Sequence, residues 1–332
     1  MPSAAIALVV VVGLAVVFDF INGFHDTANA IATSVSTRVL SPPQAILMAS
    51  TLNFAGAVIV GTAVAKTIGK GIVDPSAVTQ HTVVAALLGA ITWNLITWYF
   101  GIPTSSSHAL ISGIVGASIG ASGFGALNIE GLATIFASLM LSPLIGLTFG
   151  FGVMVGLMWA FRKYSPSSVN AYFRHLQVLS AAFMAFSHGS NDAQKTMGII
   201  TMALFSFGAL TTFEVPLWVV TVSALAMGLG TAIGGWRIIK TLGVRLVSLR
   251  PVHGFAAETS AALVIQLATH FGAPVSTTHV ISSSIMGVGA SRRFSAVRWG
   301  VAGNIVMAWI LTVPATATFA WIFRILLRLT LG

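Results

Sequence analysis

Two carboxylates stand in polar clusters set within apolar stretches: Asp26 in N-G-F-H-D-T-A-N (residues 22–29) and Asp192 in H-G-S-N-D-A-Q-K (residues 188–195). A charged group at bilayer depth costs on the order of 3 kcal/mol or more, so it is kept for a function or held by a partner. A second pair of motifs is built of hydroxyls: P-T-S-S-S-H (103–108) and P-V-S-T-T-H (274–279). Proline closes the preceding segment and suits the first turn of the next helix. The hydroxyls then fall at a helix N-terminus, where free N–H groups and the dipole favour an anion. They donate hydrogen bonds without a fixed charge, so a bound anion can leave. Together the motifs describe a site near the membrane midplane. Ser105, Ser106 and Ser107 donate to oxygen atoms from one side and Ser276, Thr277 and Thr278 from the other. Asp26 and Asp192 accept protons from the ligand or hold a coupling cation. Carboxylates repel a fully ionised anion but accept a hydrogen bond from a protonated one, which suits hydrogen phosphate better than sulfate.

Each motif alone also has a structural reading. An aspartate can cap a half-helix, and a Ser/Thr run can pack helices together. The twofold occurrence of both motifs favours binding. Lys195 fills the slot that Asn29 fills in the first cluster, about one helical turn after Asp192, so an ion pair and direct anion contact both fit. His25 and His188 flank the aspartates, and His108 and His279 end the hydroxyl runs. Each could relay protons or stand neutral and hydrogen-bonded. Glu258, in H-G-F-A-A-E-T-S, is a further acid in an apolar segment, either a protonation site or an uncharged packing acid. There is no G-x-S-x-G elbow, no H-E-x-x-H and no G-x-x-x-x-G-K-[ST] loop, so a membrane hydrolase or an ATP-driven pump is not expected. Cysteine is absent, and no resident metal or permanently bound cofactor is expected. A passive channel is the other non-enzymatic reading.

The elements that must hold these motifs are membrane helices. Of 332 residues, 56% are hydrophobic and 7% charged, against about 25% charged in an ordinary soluble domain. That excludes a cytosolic enzyme, a disordered chain and a nucleic-acid binder, despite the net charge of +9. No Lys or Arg precedes Arg38, so the opening apolar run lacks the basic region of a secretory signal and reads as a retained membrane segment. Apolar segments fall near 4–37, 44–65, 80–100, 104–121, 131–161, 176–205, 215–236, 254–271, 275–290 and 299–327. The first and sixth read as interrupted at the Asp clusters. Segments 104–121 and 275–290, rich in Gly, Ser and Thr, are candidates for re-entrant hairpins.

The chain repeats itself. Gly23–Asn29 aligns with Gly189–Lys195, Lys66-Thr67-Ile68-Gly69 with Lys240-Thr241-Leu242-Gly243, and Gly101–His108 with Gly272–His279. Residues 1–161 form one repeat and 176–332 the other, joined by a loop over 162–175. Basic residues bunch at Arg162/Lys163/Arg174, Arg237/Lys240/Arg245/Arg250 and Arg292/Arg293/Arg298, which places those loops in the cytoplasm. The counterpart of the last, Ala121–Glu130, carries only Glu130. Opposite bias at matching loops puts them on opposite faces, so the repeats are inverted and both termini lie outside. The expectation is an all-α polytopic membrane protein of two inverted-topology repeats with broken helices, in about 10–12 membrane segments.

These motifs resemble the inorganic phosphate transporter (PiT) family, and the resemblance extends in order over nearly the whole chain. It includes G-x-A-V-A-K-T-I-G-K-G-I-V at Gly61–Val73 and G-G-W-R-I-I-K-T-L-G. It implies secondary transport of inorganic phosphate by symport, with Asp26, Asn29, Ser105, Ser106, Ser107, Asn191, Asp192, Ser276, Thr277 and Thr278 forming the site. Sodium-coupled members resemble N-D-V-A-N-A in both halves and tend to carry an acid where Asn53 stands here. This chain has H-D-T-A-N-A and N-D-A-Q-K-T. The variant is similar to the bacterial low-affinity branch, which implies proton coupling and transport of neutral divalent metal–phosphate complexes. Lys195 could then supply the charge a bound sodium would otherwise give. A sulfate or other oxyanion permease and a sodium-coupled symporter are the alternatives. A multi-pass inner-membrane location and a homodimer complete the expectation.

Overall fold

The computed structural model describes residues 2–75 and 78–331. Twelve α-helices account for most of them. They are α1 (Pro2–Ser36), α2 (Pro42–Ile59), α3 (Ala63–Gly71), α4 (Gln80–Phe100), α5 (Ser106–Ser122), α6 (Ile129–Ala160), α7 (Pro166–Ser206), α8 (Leu217–Ile233), α9 (Trp236–Lys240), α10 (Pro251–His270), α11 (Thr277–Arg292) and α12 (Trp299–Leu331). A π-helical turn, Thr241–Leu246, extends α9. Helices α1, α4, α6 and α12 are long and apolar enough to cross a membrane, and the bent pairs α2–α3 and α8–α9 raise the number of such segments to six.

The first six helices and the last six follow one plan. Each half has a long helix, a helix bent at a short break (74° for α2–α3, 62° for α8–α9), a helical hairpin and a final long helix. Local details repeat as well. Isolated antiparallel bridges join Val73 to Leu127 and, in the other half, Val247 to Val297. Both hairpins turn at a left-handed glycine, Gly101 at φ +67° and Gly272 at φ +68°, a conformation a side chain would strain. The halves are interlocked: α1 packs on α8, α2 on α7, α5 on α12 and α6 on α11. Close approach makes this possible. A Cβ on Gly189 would lie 2.1 Å from the Asn53 carbonyl oxygen.

The breaks lie elsewhere than at the Asp clusters. Helices α1 and α7 run unbroken through residues 22–29 and 188–195. The polar residues there bond along and between helices: Thr27 Oγ1 donates to Gly23 O at 2.7 Å and Gln194 Nε2 to Ser190 O at 2.7 Å. What read as interruption is a polar stripe within a continuous helix, buried because other helices cover it. The expected loop over 162–175 is shorter, because Ser165 caps α7 and Pro166 starts it. Segments 104–121 and 275–290 are the returning arms of the hairpins α4–α5 and α10–α11.

Candidate functional site

Helices α5 and α11 start at the two hydroxyl motifs. Ser105 and Ser276 are their N-caps, accepting from His108 N at 3.1 Å and His279 N at 3.2 Å. These two hydroxyls are therefore turned to their own backbone, and the next two residues of each run carry the donor chemistry of the tips. The hairpins meet at these tips. Ser107 Oγ donates to Val275 O at 3.2 Å, and the rings of His108 and His279 stack with centroids 4.6 Å apart, His279 in turn lying on Trp309.

The Asp-bearing stripes of α1 and α7 face the tips. Ser106 and Thr278, one from each hairpin, both donate to Asp26 Oδ2 at 3.4 Å. Thr277 Oγ1 donates to Asp192 Oδ2 at 3.0 Å. Asn29 Nδ2 donates across to Thr278 Oγ1 at 2.9 Å. Its counterpart Lys195 donates from Nζ across to Ser107 Oγ at 2.5 Å, to Val275 O at 2.9 Å and to Asp192 Oδ1. Asp26, Asp192, Lys195 and the hydroxyls are each 3% exposed or less, so the cluster is closed to solvent.

The histidines are divided between two positions. His25 Nδ1 lies 2.5 Å from Asp26 Oδ1, with Thr97 Oγ1 3.1 Å from its other nitrogen. His188 Nε2 lies 3.4 Å from Asp192 Oδ2, while its Nδ1 is 3.1 Å from Asn53 Oδ1. One ligand atom each from Asp26, His188 and Asp192 fall within 4.8 Å of one another, a donor set able to take a cation. His108 and His279 instead stand behind the tips. Asn191 braces the second hairpin, donating to Thr269 Oγ1 at 2.8 Å. Glu258 lies in a separate buried cluster, receiving hydrogen bonds from Thr33, Gln177 and Ser180.

Three contributors are not evident in the sequence as parts of the site: Asn53, Thr97 and Gln194. Asn53 orients His188 and is itself tied to Thr231 Oγ1 at 2.8 Å. Gln194 Oε1 accepts from Val64 N at 2.8 Å, capping α3 at the break of the first bent helix. A lone amide inside an apolar helix, at a position where sodium-coupled members of the resembled family tend to carry an acid, is the signal that points to Asn53.

The arrangement can hold a protonated oxyanion. Hydroxyls from two helix N-termini donate, two carboxylates accept, and one ammonium offsets charge. Two interlocked half-chains that carry paired acids and paired helix tips to one buried point have the architecture of a secondary transporter. The chain belongs to the Phosphate transporter family, whose profile matches residues 22–166 and 162–320. It is 51% identical over 327 residues to a Bacillus subtilis (strain 168) protein described as a "Probable low-affinity inorganic phosphate transporter", covering 98% of each chain. A Rhizobium meliloti (strain 1021) protein with the same description is 50% identical over 319 residues, covering 95% of this chain and 96% of that one. A solved structure described as "The sodium-dependent phosphate transporter" superposes with a TM-score of 0.89 at 27% identity, covering 98% of this chain and 99% of that chain.

Proposed function

We infer that this chain is a symporter that imports inorganic phosphate with protons. The observation that carries the reading is the convergence of Asp26 and Asp192 on hydroxyls of both hairpin tips. Phosphate retaining a proton can donate to a carboxylate while accepting from Ser106, Ser107, Thr277 and Thr278. The donor atoms of Asp26, His188 and Asp192 suit the metal of a neutral metal–phosphate complex, carried as cargo. Alternating access would come from helices rocking about the central anion site at the tips, with the protein making and breaking no covalent bond.

Proton coupling is supported by Lys195. Its Nζ sits among a carboxylate, a hydroxyl and a backbone carbonyl, the oxygen set that would otherwise suit an alkali cation. Similarity to a solved transporter described as sodium-dependent favours sodium as the second reading. The inner membrane, both termini outside it, and a homodimer belong to the same proposal. The test is labelled-phosphate uptake into proteoliposomes with and without sodium, a pH gradient and magnesium. Accumulation driven by the pH gradient without sodium is the expected result. Strict sodium dependence unaffected by a proton uncoupler would overturn the coupling, and sulfate uptake exceeding phosphate uptake would overturn the substrate.

A further inference from the structure

Asp19 takes no part in the site above. It lies in α1 two turns before Asp26, fully buried, and neither carboxyl oxygen makes a hydrogen bond of ordinary geometry. Its polar neighbours are Asn22, one turn on, and Thr196 on α7. Asn22 Oδ1 and Thr196 Oγ1 are themselves buried and unpaired. Three unpaired polar groups thus share one interhelical pocket. The large majority of buried side-chain polar atoms have a hydrogen-bond partner, and here an acid and two polar neighbours in one place have unpaired oxygens.

The repeat supplies an internal control. By the alignment of Gly23–Asn29 with Gly189–Lys195, Asp19 corresponds to Ala185 and Thr196 to Ala30. Both alanines are fully buried. The positions equivalent to Asp19 and Thr196 are thus filled by buried methyl groups, and that equivalent to Asn22 by His188, so the repeat does not itself require an acid there. A protonated Asp19 completes the pocket: its O–H donates to Asn22 Oδ1 and Thr196 Oγ1 donates to its carbonyl oxygen. An ionised Asp19 has only the Thr196 hydroxyl and the Asn22 amide to set against full burial and the like charge of Asp192.

The charges bearing on Asp19 are those of Asp192 and Lys195 on α7. Among other helices packed on α1, α2 and α8 contain no titratable residue. His81 and Tyr99 lie at the ends of α4. Arg237, Lys240 and Arg245 belong to α9 and its turn, which meet α1 from Phe24 onward. Glu258 of α10 bonds Thr33, and His279 of α11 stacks on Trp309. Asp19 is thus coupled to the Asp192–Lys195 pair and to little else.

We propose that Asp19, with Asn22 and Thr196, is the site of the transported proton, separate from the oxyanion site and linked to it through the Asp192–Lys195 pair. In one cycle the proton enters from outside onto the Asp19 carboxylate as phosphate fills the tips, and it leaves to the cytoplasm when phosphate does. No other group is consumed. The proposal rests on the phosphate-symport reading.

The experiment compares wild type, Asp19→Asn, Asp19→Glu and the double variant Asp19→Ala/Thr196→Ala in proteoliposomes. Each is assayed for phosphate–phosphate exchange at equal pH and for accumulation under a pH gradient. Wild-type accumulation scales by about tenfold per pH unit for each coupled proton. Asp19→Asn and the double variant should keep exchange within about twofold of wild type yet lose pH-driven accumulation, while Asp19→Glu keeps both. The double variant reproduces the alanine arrangement already present in the fold, so it decides the matter should Asp19→Asn fail to insert. Retained pH-driven accumulation in both neutral variants overturns the proposal, as does loss of exchange in both or loss of sodium stimulation instead of pH response. Failure of wild type to take up phosphate would instead overturn the parent reading.

Discussion

Lys195 Nζ lies 2.5 Å from Ser107 Oγ, reaching from the second repeat to the first repeat's hairpin tip. The bond in the opposite direction joins Asn29 Nδ2 to Thr278 Oγ1 at 2.9 Å. Equivalent residues thus make equivalent contacts, and one side carries an ammonium where the other carries an amide. In a site built on twofold symmetry, Lys195 alone offsets the two carboxylates Asp26 and Asp192. Replacing Lys195 by Asn restores the symmetry and removes that charge. Lys195→Asn should retain the fold, weaken phosphate uptake at low concentration and make uptake respond to sodium. Uptake measured over a sodium series at clamped membrane potential checks this, and a sodium-indifferent variant with wild-type uptake would refute it.

Variants of the two aspartates should differ in stability, although loss of either should abolish transport. Asp192 is paired with Lys195, so Asp192→Asn leaves a buried ammonium without its counter-charge, a loss of about 3–5 kcal/mol. Asp26 is paired with His25, which can stand neutral, so Asp26→Asn costs about 1–3 kcal/mol in hydrogen bonding. Both variants should lose uptake, and Asp192→Asn should unfold in detergent at a clearly lower temperature than Asp26→Asn. Equal melting temperatures would show that the Lys195 pair is not held as described.

Interlocking of the repeats predicts where small residues are obligatory. A methyl group on Gly189 would meet the Asn53 carbonyl at 2.1 Å and force α2 and α7 apart. Gly189→Ala should therefore destabilise by about 1–3 kcal/mol and shift His188, which Asn53 orients. A methyl group on Gly156 in α6 would meet nothing within 4 Å, so Gly156→Ala should be neutral or stabilising by up to about 1 kcal/mol. Thermal unfolding of the two variants side by side is the measurement.

Much of this was legible in the chain because duplication doubles every signal. The pairing of Asp26 with Asp192 and of Ser106–Ser107 with Thr277–Thr278 could be read from order and spacing. Continuity of α1 and α7 could not, since Gly, Asn and Ser near Asp26 and Asp192 read locally as breakers, and only the covering helices α8 and α2 show that the glycines serve close approach. The bends after Ile59 and Ile233 were passed over for the converse reason: Gly61-Thr62 and Gly234-Gly235 mark them, with Gly61 and Gly234 at positive φ, but they sit within apolar runs, and hydropathy does not register a change of axis. Ser105 and Ser276 look like Ser106 and Thr277 in sequence, and only the cap geometry turns them to the backbone. Asn53 gave a weak sign, one amide in an apolar run, whose partner His188 lies 135 residues away.

Selectivity among oxyanions follows from the acceptors. Asp26 Oδ2 and Asp192 Oδ2 face the hydroxyl donors of the tips at 3.0–3.4 Å, so a ligand entering between them meets carboxylate oxygens as well as donors. An oxyanion with a proton on one oxygen satisfies both kinds of group, and one without leaves the carboxylates opposed to its own negative oxygens. Sites that require a buried hydrogen bond from the ligand discriminate far more strongly than sites that only fit its shape, by about 10⁴-fold in favourable cases. Arsenate carries a proton near neutrality as phosphate does, and sulfate does not. Arsenate should therefore compete with labelled phosphate at comparable concentration, and sulfate should fail even in large excess. Replacing Ser107 and Thr278 together by Ala should weaken phosphate and arsenate alike without admitting sulfate, because the rejecting carboxylates remain. Competition by sulfate in wild type would show that the aspartates are not presented to the ligand.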